Sequence, residues 1–276
     1  MDNSDITVIS SQHDRNRAGI FTVWKHRELV KALAMRAVRT RYRGARFGIL
    51  WAFAQPLIYM IVLNIFFGLV IRFDTGDVPY PLHLLTGLIV FQLFSKGLTE
   101  GANAISGNKG ILSKVYIPPV VFPASSILSG LLDFTFPLLL LIAFLIYYQI
   151  SPSTNLIFLP IFFLFLIVLF VAAQLFMSVT AMIDRDVKIV VPVLSQLLFF
   201  GTPIFYPVSA IPDQYLIFFA LNPMVGVIEG IRWSMLGLGS PPDLNLLLVS
   251  GAMTLVLLFI AVQTFQRLCS LIFKHL

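Results

Sequence analysis

The chain has 276 residues, of which 58% are hydrophobic and only 12% charged, and its mean hydropathy of +0.90 excludes a soluble globular domain and defines an integral membrane protein. Its apolar runs are far longer than the alternating ten-residue segments of a transmembrane β-barrel, so the expected fold class is all-α. The formal charge of +6 follows membrane topology and is not a nucleic-acid footprint.

Residues 1–21 are polar and of mixed charge, and read as a cytoplasmic tail. No signal peptide is expected, because the first 48 residues hold no apolar core with a cleavage site. Residues 22–46 are amphipathic. On a helical wheel Val23, Leu29, Val30, Leu33, Ala34 and Ala37 fall within an arc of about 140°. Lys25, Arg27, Glu28, Lys31, Arg36 and Arg39 lie opposite, and only His26 intrudes. The segment reads either as a helix in the cytoplasmic interface, its cations toward anionic headgroups, or as a helix packed on another subunit.

Residues 47–276 form the predicted transmembrane domain. Windows of ~20 apolar residues give six spans, at about 49–71, 82–103, 118–149, 156–182, 188–208 and 244–266. The chain enters the first through RYRGARFGILWAFAQPL, residues 41–57, where Gly44 and Gly48 permit a tight turn and Trp51 is placed as an interfacial anchor. Gln55-Pro56 is expected to break this span early. The third run, Pro119 to Ile150, would measure roughly 48 Å as a straight helix, so it must tilt, kink at Pro137 or leave the membrane.

Two short connections, Ser106–Pro118 and Asp184–Lys188, are charged and tightly tethered. Each reads as a solvated turn or as an element passing force from a cytoplasmic partner into the helices. A GxxxG spacing occurs at Gly97/Gly101 and at Gly226/Gly230, a weak signal of close helix contact in so apolar a chain.

Between the last two spans lies Ile211–Leu236, IPDQYLIFFALNPMVGVIEGIRWSML, divided by Asn222-Pro223 into halves of ~18 Å each against ~30 Å of hydrocarbon. Proline ends the first half and suits the start of the second. Residues 211–236 are therefore expected to form a re-entrant helical hairpin, with Glu229 and Arg232 three apart on one face.

The cations set the orientation. Of nineteen Lys and Arg, ten precede the first span, three lie between Lys96 and Lys114, two in Asp184–Lys188 and two after the last span; only Arg72 and Arg232 fall on the other side. Both termini are thus expected in the cytoplasm.

Catalytic and metal constellations are missing. No Gly-Lys dipeptide occurs, so no phosphate-cradling P-loop is present, and none of the four histidines precedes a glutamate. No serine has glycine at both −2 and +2. His13, His26 and His275 lie in basic cytoplasmic regions and His83 at an outer interface, and the single cysteine, Cys269, reads as packing. What remains is the intramembrane acid Asp133, which must face the bundle interior, either as a pathway or switch residue or as a carboxyl bonded to a neighbouring helix. Glu229 and Arg232 read as a structural ion pair, as an outer gate, or as both. Phe199, Phe200, Phe205, Tyr206 and Trp233 gather near the hairpin; Phe199, Phe200 and Tyr206 are candidates to line a channel, where flat rings complement sugars.

Together, residues 41–57, Asn108–Pro123 (NKGILSKVYIPPVVFP), Arg185–Pro207 (RDVKIVVPVLSQLLFFGTPIFYP) and Asn222–Gly237 (NPMVGVIEGIRWSMLG) resemble the permease subunit of ABC-2 type exporters, in the branch that exports lipid-linked polysaccharides such as O-antigen, capsule or teichoic acid. The resemblance covers nearly all of the chain after Thr22. It implies a homodimer in the bacterial inner membrane, docked on two copies of a separate ATPase that binds ATP and Mg2+, with no cofactor in this chain. It implies a gate role for the amphipathic helix, contact with the ATPase near Asn108, Lys109 and Lys114, and an outer mouth closed by the hairpin with Glu229 and Arg232. The implied substrate is a polymer on a polyprenyl diphosphate. Arg41, Arg43 and Arg46, at inner headgroup level, are candidates for that diphosphate, although positive-inside anchoring explains them equally. Export of a drug or small hydrophobic solute is the near alternative. An ion-coupled secondary transporter using Asp133 and Glu229 is disfavoured by the scarcity of intramembrane acids and of repeated broken helices. A membrane-embedded transferase is disfavoured by the missing catalytic groups.

Overall fold

The computed structural model describes residues 20–43, 46–73, 75–76, 78–115, 117–151, 153–237 and 241–272. The tail to residue 19, with His13, and also Gly44 and His275 lie outside them. Every regular element among the described residues is helical. In chain order these are α1 (Ile20–Lys25), α2 (Arg27–Tyr42), α3 (Leu50–Leu63), α4 (Tyr80–Ala104), α5 (Lys109–Leu112), α6 (Val121–Tyr147), α7 (Leu159–Ile183), α8 (Val187–Phe200), α9 (Asp213–Ala220), α10 (Pro223–Leu236) and α11 (Leu244–Ile272).

Among the described residues five helical segments are long and apolar enough to cross a bilayer, Leu50–Ile71, Tyr80–Leu112, Val121–Tyr147, Thr154–Ile183 and Leu244–Cys269, or six if the bent pair Gln214–Ala220 and Pro223–Leu236 is one span. The expected fifth span, 188–208, is shorter than read. Its helix α8 has 14 residues, ~21 Å of rise, and Gly201–Pro207 continues without helix. Pro203 and Pro207 supply no N–H to extend the ladder, and Thr202 turns its hydroxyl back onto the Leu198 carbonyl at 2.6 Å. The Gln55-Pro56 break also requires correction. Helix α3 runs through Pro56, and the departure from α geometry comes later, where Asn64–Ile71 widens into a π-helix. Pro137 likewise sits inside the unbroken α6.

Helix α4 is the centre of the bundle. It packs against α7, α6, α3, α8 and α10, and Leu82, Leu84, Leu85, Leu88 and Ile89 are buried along it. The contact with α7 is close because glycines face it. A Cβ at Gly97 would stand 2.9 Å from the Phe170 ring, and one at Gly101 2.9 Å from the Gln174 Cα, so the first GxxxG is a helix-packing face. Helix α3 is peripheral, with Ile58, Tyr59, Ile61 and Val62 exposed, as is Phe66 in the π-helical stretch that follows.

The amphipathic segment breaks where His26 intrudes, between α1 and α2. Helix α2 lies on α6, and Val30 joins a buried cluster with Ile105, Val121, Phe122 and Val179. Ala34 is also buried, whereas Ala37 is exposed.

Helices α9 and α10 meet at Asn222-Pro223 with a bend of 98°. The break has a local cause. The Asn222 side chain accepts from the Met224 N–H at 3.1 Å, capping α10, and Pro223 occupies the first helical position. Gly237, at φ +67°, ends α10 in the left-handed region open to glycine.

Candidate functional site

The last turn of α2 brings Arg41 and Tyr42 against α4 and α6. Arg41 pairs with both Glu100 of α4 and Asp133 of α6. Lys96, one turn before Glu100, lies 3.8 Å from it and pairs with Asp133 as well. The Tyr42 hydroxyl donates to Asp133 Oδ1 at 3.2 Å. Burial pushes the Tyr42 phenol above its ordinary pKa, which keeps it a donor. Two cations and two carboxylates thus form a neutral ring across three helices, and the Asp133 side chain is only 4% exposed. The cost of a carboxylate at mid-helix is offset by these partners.

Two cavities border this ring. One, of about 470 Å³, is lined by Trp51, Gln55, Pro56, Gln92, Lys96 and Asp133, and the other, of about 510 Å³, by Thr40, Asn103, Asn108, Ser125 and Ser129. Arg41 and Glu100 line both. Arg43 and Arg46 are exposed and form no ion pair among the described residues, so of the three candidate arginines only Arg41 belongs to the ring.

A second polar centre is built around Arg232, whose side chain is fully buried. Its Nη1 donates to the Pro203 carbonyl at 2.7 Å and to Glu229 Oε1 at 2.9 Å. Its Nη2 donates to the carbonyls of Ile204 at 2.7 Å and His83 at 3.1 Å. One guanidinium therefore ties α10 to α4 and to the irregular chain after α8, the planar fork suiting several acceptors at once. The Tyr80 hydroxyl adds a 2.6 Å bond to the Phe205 carbonyl. Around Phe205 the aromatic rings form one cluster, with centroids 6.0 Å away for Phe199 and Phe200 and 5.1 Å for Tyr206. Phe199 and Tyr206 are half-buried, and Phe200 is exposed.

The predicted coupling residues lie together after α4. Asn108 donates to the Ala104 carbonyl at 2.8 Å, Lys109 is half-buried and Lys114 exposed. The candidates thus separate into three places: Arg41 with Asp133, Glu229 with Arg232, and the segment of Asn108, Lys109 and Lys114. The sequence reading missed Lys96, Glu100 and Tyr42. Lys96 and Glu100, four apart on a span, carried the available signal.

Five bilayer-length helices with a charged ring and polar cavities among them have the makeup of a membrane transport subunit, since buried charge and broken backbone persist in a membrane only inside protein or along a wet path. Residues 28–236 match the model of the ABC-2 type transporter family, and the chain belongs to that family. It is 30% identical to the O-antigen export system permease protein RfbA of Myxococcus xanthus, over 88% of this chain and 94% of that one. To the polysialic acid transport protein KpsM of Escherichia coli it is 29% identical, over 86% and 92%. An RfbA of Klebsiella pneumoniae is 28% identical, over 74% and 79%.

Proposed function

We propose that this chain is the transmembrane subunit of an ATP-binding-cassette exporter that moves a polysaccharide linked to polyprenyl diphosphate from the cytoplasmic side across a bacterial inner membrane. The observation that carries this reading is the similarity over most of the chain to permeases named for export of O-antigen and transport of polysialic acid. Those names also favour a glycan over a drug as cargo. The subunit is itself non-catalytic, with ATP and Mg2+ bound by a separate ATPase.

In this reading two copies of the chain pair in the membrane on two ATPases, both termini in the cytoplasm, as the distribution of cations supports. The exposed apolar faces of α3 and α8 are available to lipid and to the second copy. Asn108, Lys109 and Lys114 pass the ATPase stroke into α4. The amphipathic segment, residues 22–46, acts as the gate at the cytoplasmic entrance, and the bent pair α9–α10 is a re-entrant hairpin at the outer mouth. There Arg232 and Glu229 hold the closed form, and Phe199, Phe200 and Tyr206 offer ring faces to passing sugars. Asp133 and Glu229 are both paired with cations, which gives each carboxylate a structural role that needs no ion coupling.

The test is to solubilise the tagged chain gently from native membranes and identify what co-purifies. A near-equimolar ATPase whose hydrolysis responds to lipid-linked glycan is expected. A chain that purifies alone, with nucleotide-independent transport, overturns the exporter reading.

A further inference from the structure

We propose that Arg41 and Tyr42 form a releasable clasp holding α2 over a polar cavity, and that Lys96 is the resident cation that keeps Asp133 paired when the clasp lets go. The inference rests on the gate role proposed for the amphipathic segment and gives that gate its fastening.

Helix α2 is held near its two ends and is loose between them. In its first half Val30 and Ala34 are buried, with Val30 among Ile105, Val121 and Phe122. From Met35 to Tyr42 no residue is buried. Along that stretch runs the cavity of about 510 Å³, which Arg36, Ala37 and Thr40 of α2 share with Ser125 and Ser129 of α6. A void supplies no dispersion contact, so this half of α2 depends chiefly on the clasp. Arg41 pairs with Glu100 and Asp133. The Tyr42 hydroxyl donates to Asp133 Oδ1 at 3.2 Å, and its ring stands edge-on to Phe136 with centroids 6.1 Å apart.

Lys96 needs nothing from α2 to reach Asp133. Helices α4 and α6 pack directly on each other. One turn before Asp133, α6 is seated on α7, where a Cβ at Gly130 would stand 2.5 Å from the Phe170 ring. When Arg41 leaves, two carboxylates share one ammonium. Glu100, with its side chain 23% exposed and bordering both cavities, takes water in place of the guanidinium. Asp133, only 4% exposed, keeps Lys96. A buried carboxylate stripped of every cation is the costly outcome, and Lys96 prevents it. Arg41 therefore favours the closed position of α2, whereas Lys96 is a positioning residue that makes release possible.

The experiment measures how fast a cationic, water-soluble methanethiosulfonate reagent modifies a Ser129→Cys, Cys269→Ala chain in phosphatidylcholine nanodiscs, with any co-purifying ATPase retained. Ser129 is 1% exposed and lines the cavity, so its modification reports the lifting of α2. Arg41→Gln is expected to raise the rate about tenfold and Tyr42→Phe about threefold. Lys96→Gln is expected to lower it about threefold, and Lys96→Arg to return it to the starting value. Arg41→Gln and Lys96→Gln each remove one positive charge, so any change in the reagent's attraction to the site is alike in both, and opposite signs belong to the clasp. Should Arg41→Gln fail to assemble, Tyr42→Phe against Lys96→Gln carries the same contrast. A purely structural ring loosens whichever member is lost. Faster modification in Lys96→Gln as well as in Arg41→Gln overturns the inference, as does an unchanged rate in Arg41→Gln. Either result beside a co-purifying ATPase and intact glycan export would remove the clasp and leave the exporter standing. Opposite signs in a chain that purifies alone would leave the clasp standing without the exporter.

Discussion

Arg232 rests so close to Gly87 that a Cβ at position 87 would stand 2.6 Å from its Nη2. The same Cβ would stand 3.2 Å from the Ile204 backbone, so neither neighbour yields cheaply. The guanidinium is fixed by its bonds to Pro203, Ile204, His83 and Glu229. Gly87→Ala is therefore expected to cost about 1–3 kcal/mol, the usual penalty of overpacking. A lowered Tm of the detergent-solubilised protein would register it; an unchanged Tm would count against the close approach.

Arg232→Lys is expected to destabilise despite keeping the charge. A single ammonium cannot reach acceptors on α4, on α10 and on the chain after α8 together. At least one of the three buried carbonyls loses its donor, at about 1–3 kcal/mol. Arg232→Met should be worse, because it also strands Glu229, and breaking a buried pair costs about 3–5 kcal/mol, less here because Glu229 is 20% exposed. The expected Tm order is wild type, then Lys, then Met, with Glu229→Gln recovering part of the Met loss. Equal Tm for wild type and Lys would mean that charge alone suffices.

Asn222 does two jobs at the bend: its Oδ1 caps α10 at the Met224 N–H and its Nδ2 donates to Thr202 Oγ1 at 2.8 Å. Asn222→Asp preserves the cap and loses the donor, whereas Asn222→Ala loses both. Each bond is worth about 1 kcal/mol, so Asp should fall between Asn and Ala in thermal stability. Asp matching Ala would show that the cap contributes nothing.

The bend itself was legible in the sequence, because a capping asparagine and a first-turn proline act through local backbone geometry. The pairing of Glu229 with Arg232 was legible for the same reason, being three residues apart on a helix. The rest of each centre was not. Arg232 takes three of its four acceptors from backbone carbonyls, and a carbonyl leaves no mark in a sequence. Asp133 was visible as an anomalous acid, but its partners come from α2 and α4, brought near by tertiary packing alone. The fifth span was misread because hydropathy continues through Phe205 while Pro203 and Pro207 end the ladder; composition reports transfer energy and says little of hydrogen bonding.

The first GxxxG was a weak signal on spacing alone, and its weight comes from what each glycine faces. A Cβ at Gly101 would meet the Gln174 Cα at 2.9 Å and its carbonyl oxygen at 3.1 Å. These are backbone atoms of α7 and cannot rotate away. Gly101→Ala is expected to push α4 from α7 and cost about 1–3 kcal/mol. Gly110 in α5 is the internal control, since a Cβ there meets nothing within 4 Å. Gly110→Ala is expected to leave the Tm unchanged or raise it, alanine being favoured over glycine in a helix by about 1 kcal/mol. If Gly110→Ala keeps its Tm yet lowers glycan-stimulated ATP hydrolysis, the open space over α5 is where the ATPase sits. An unchanged or raised Tm for Gly101→Ala would remove the helix-contact reading, since alanine's helix preference would then outweigh any clash with α7.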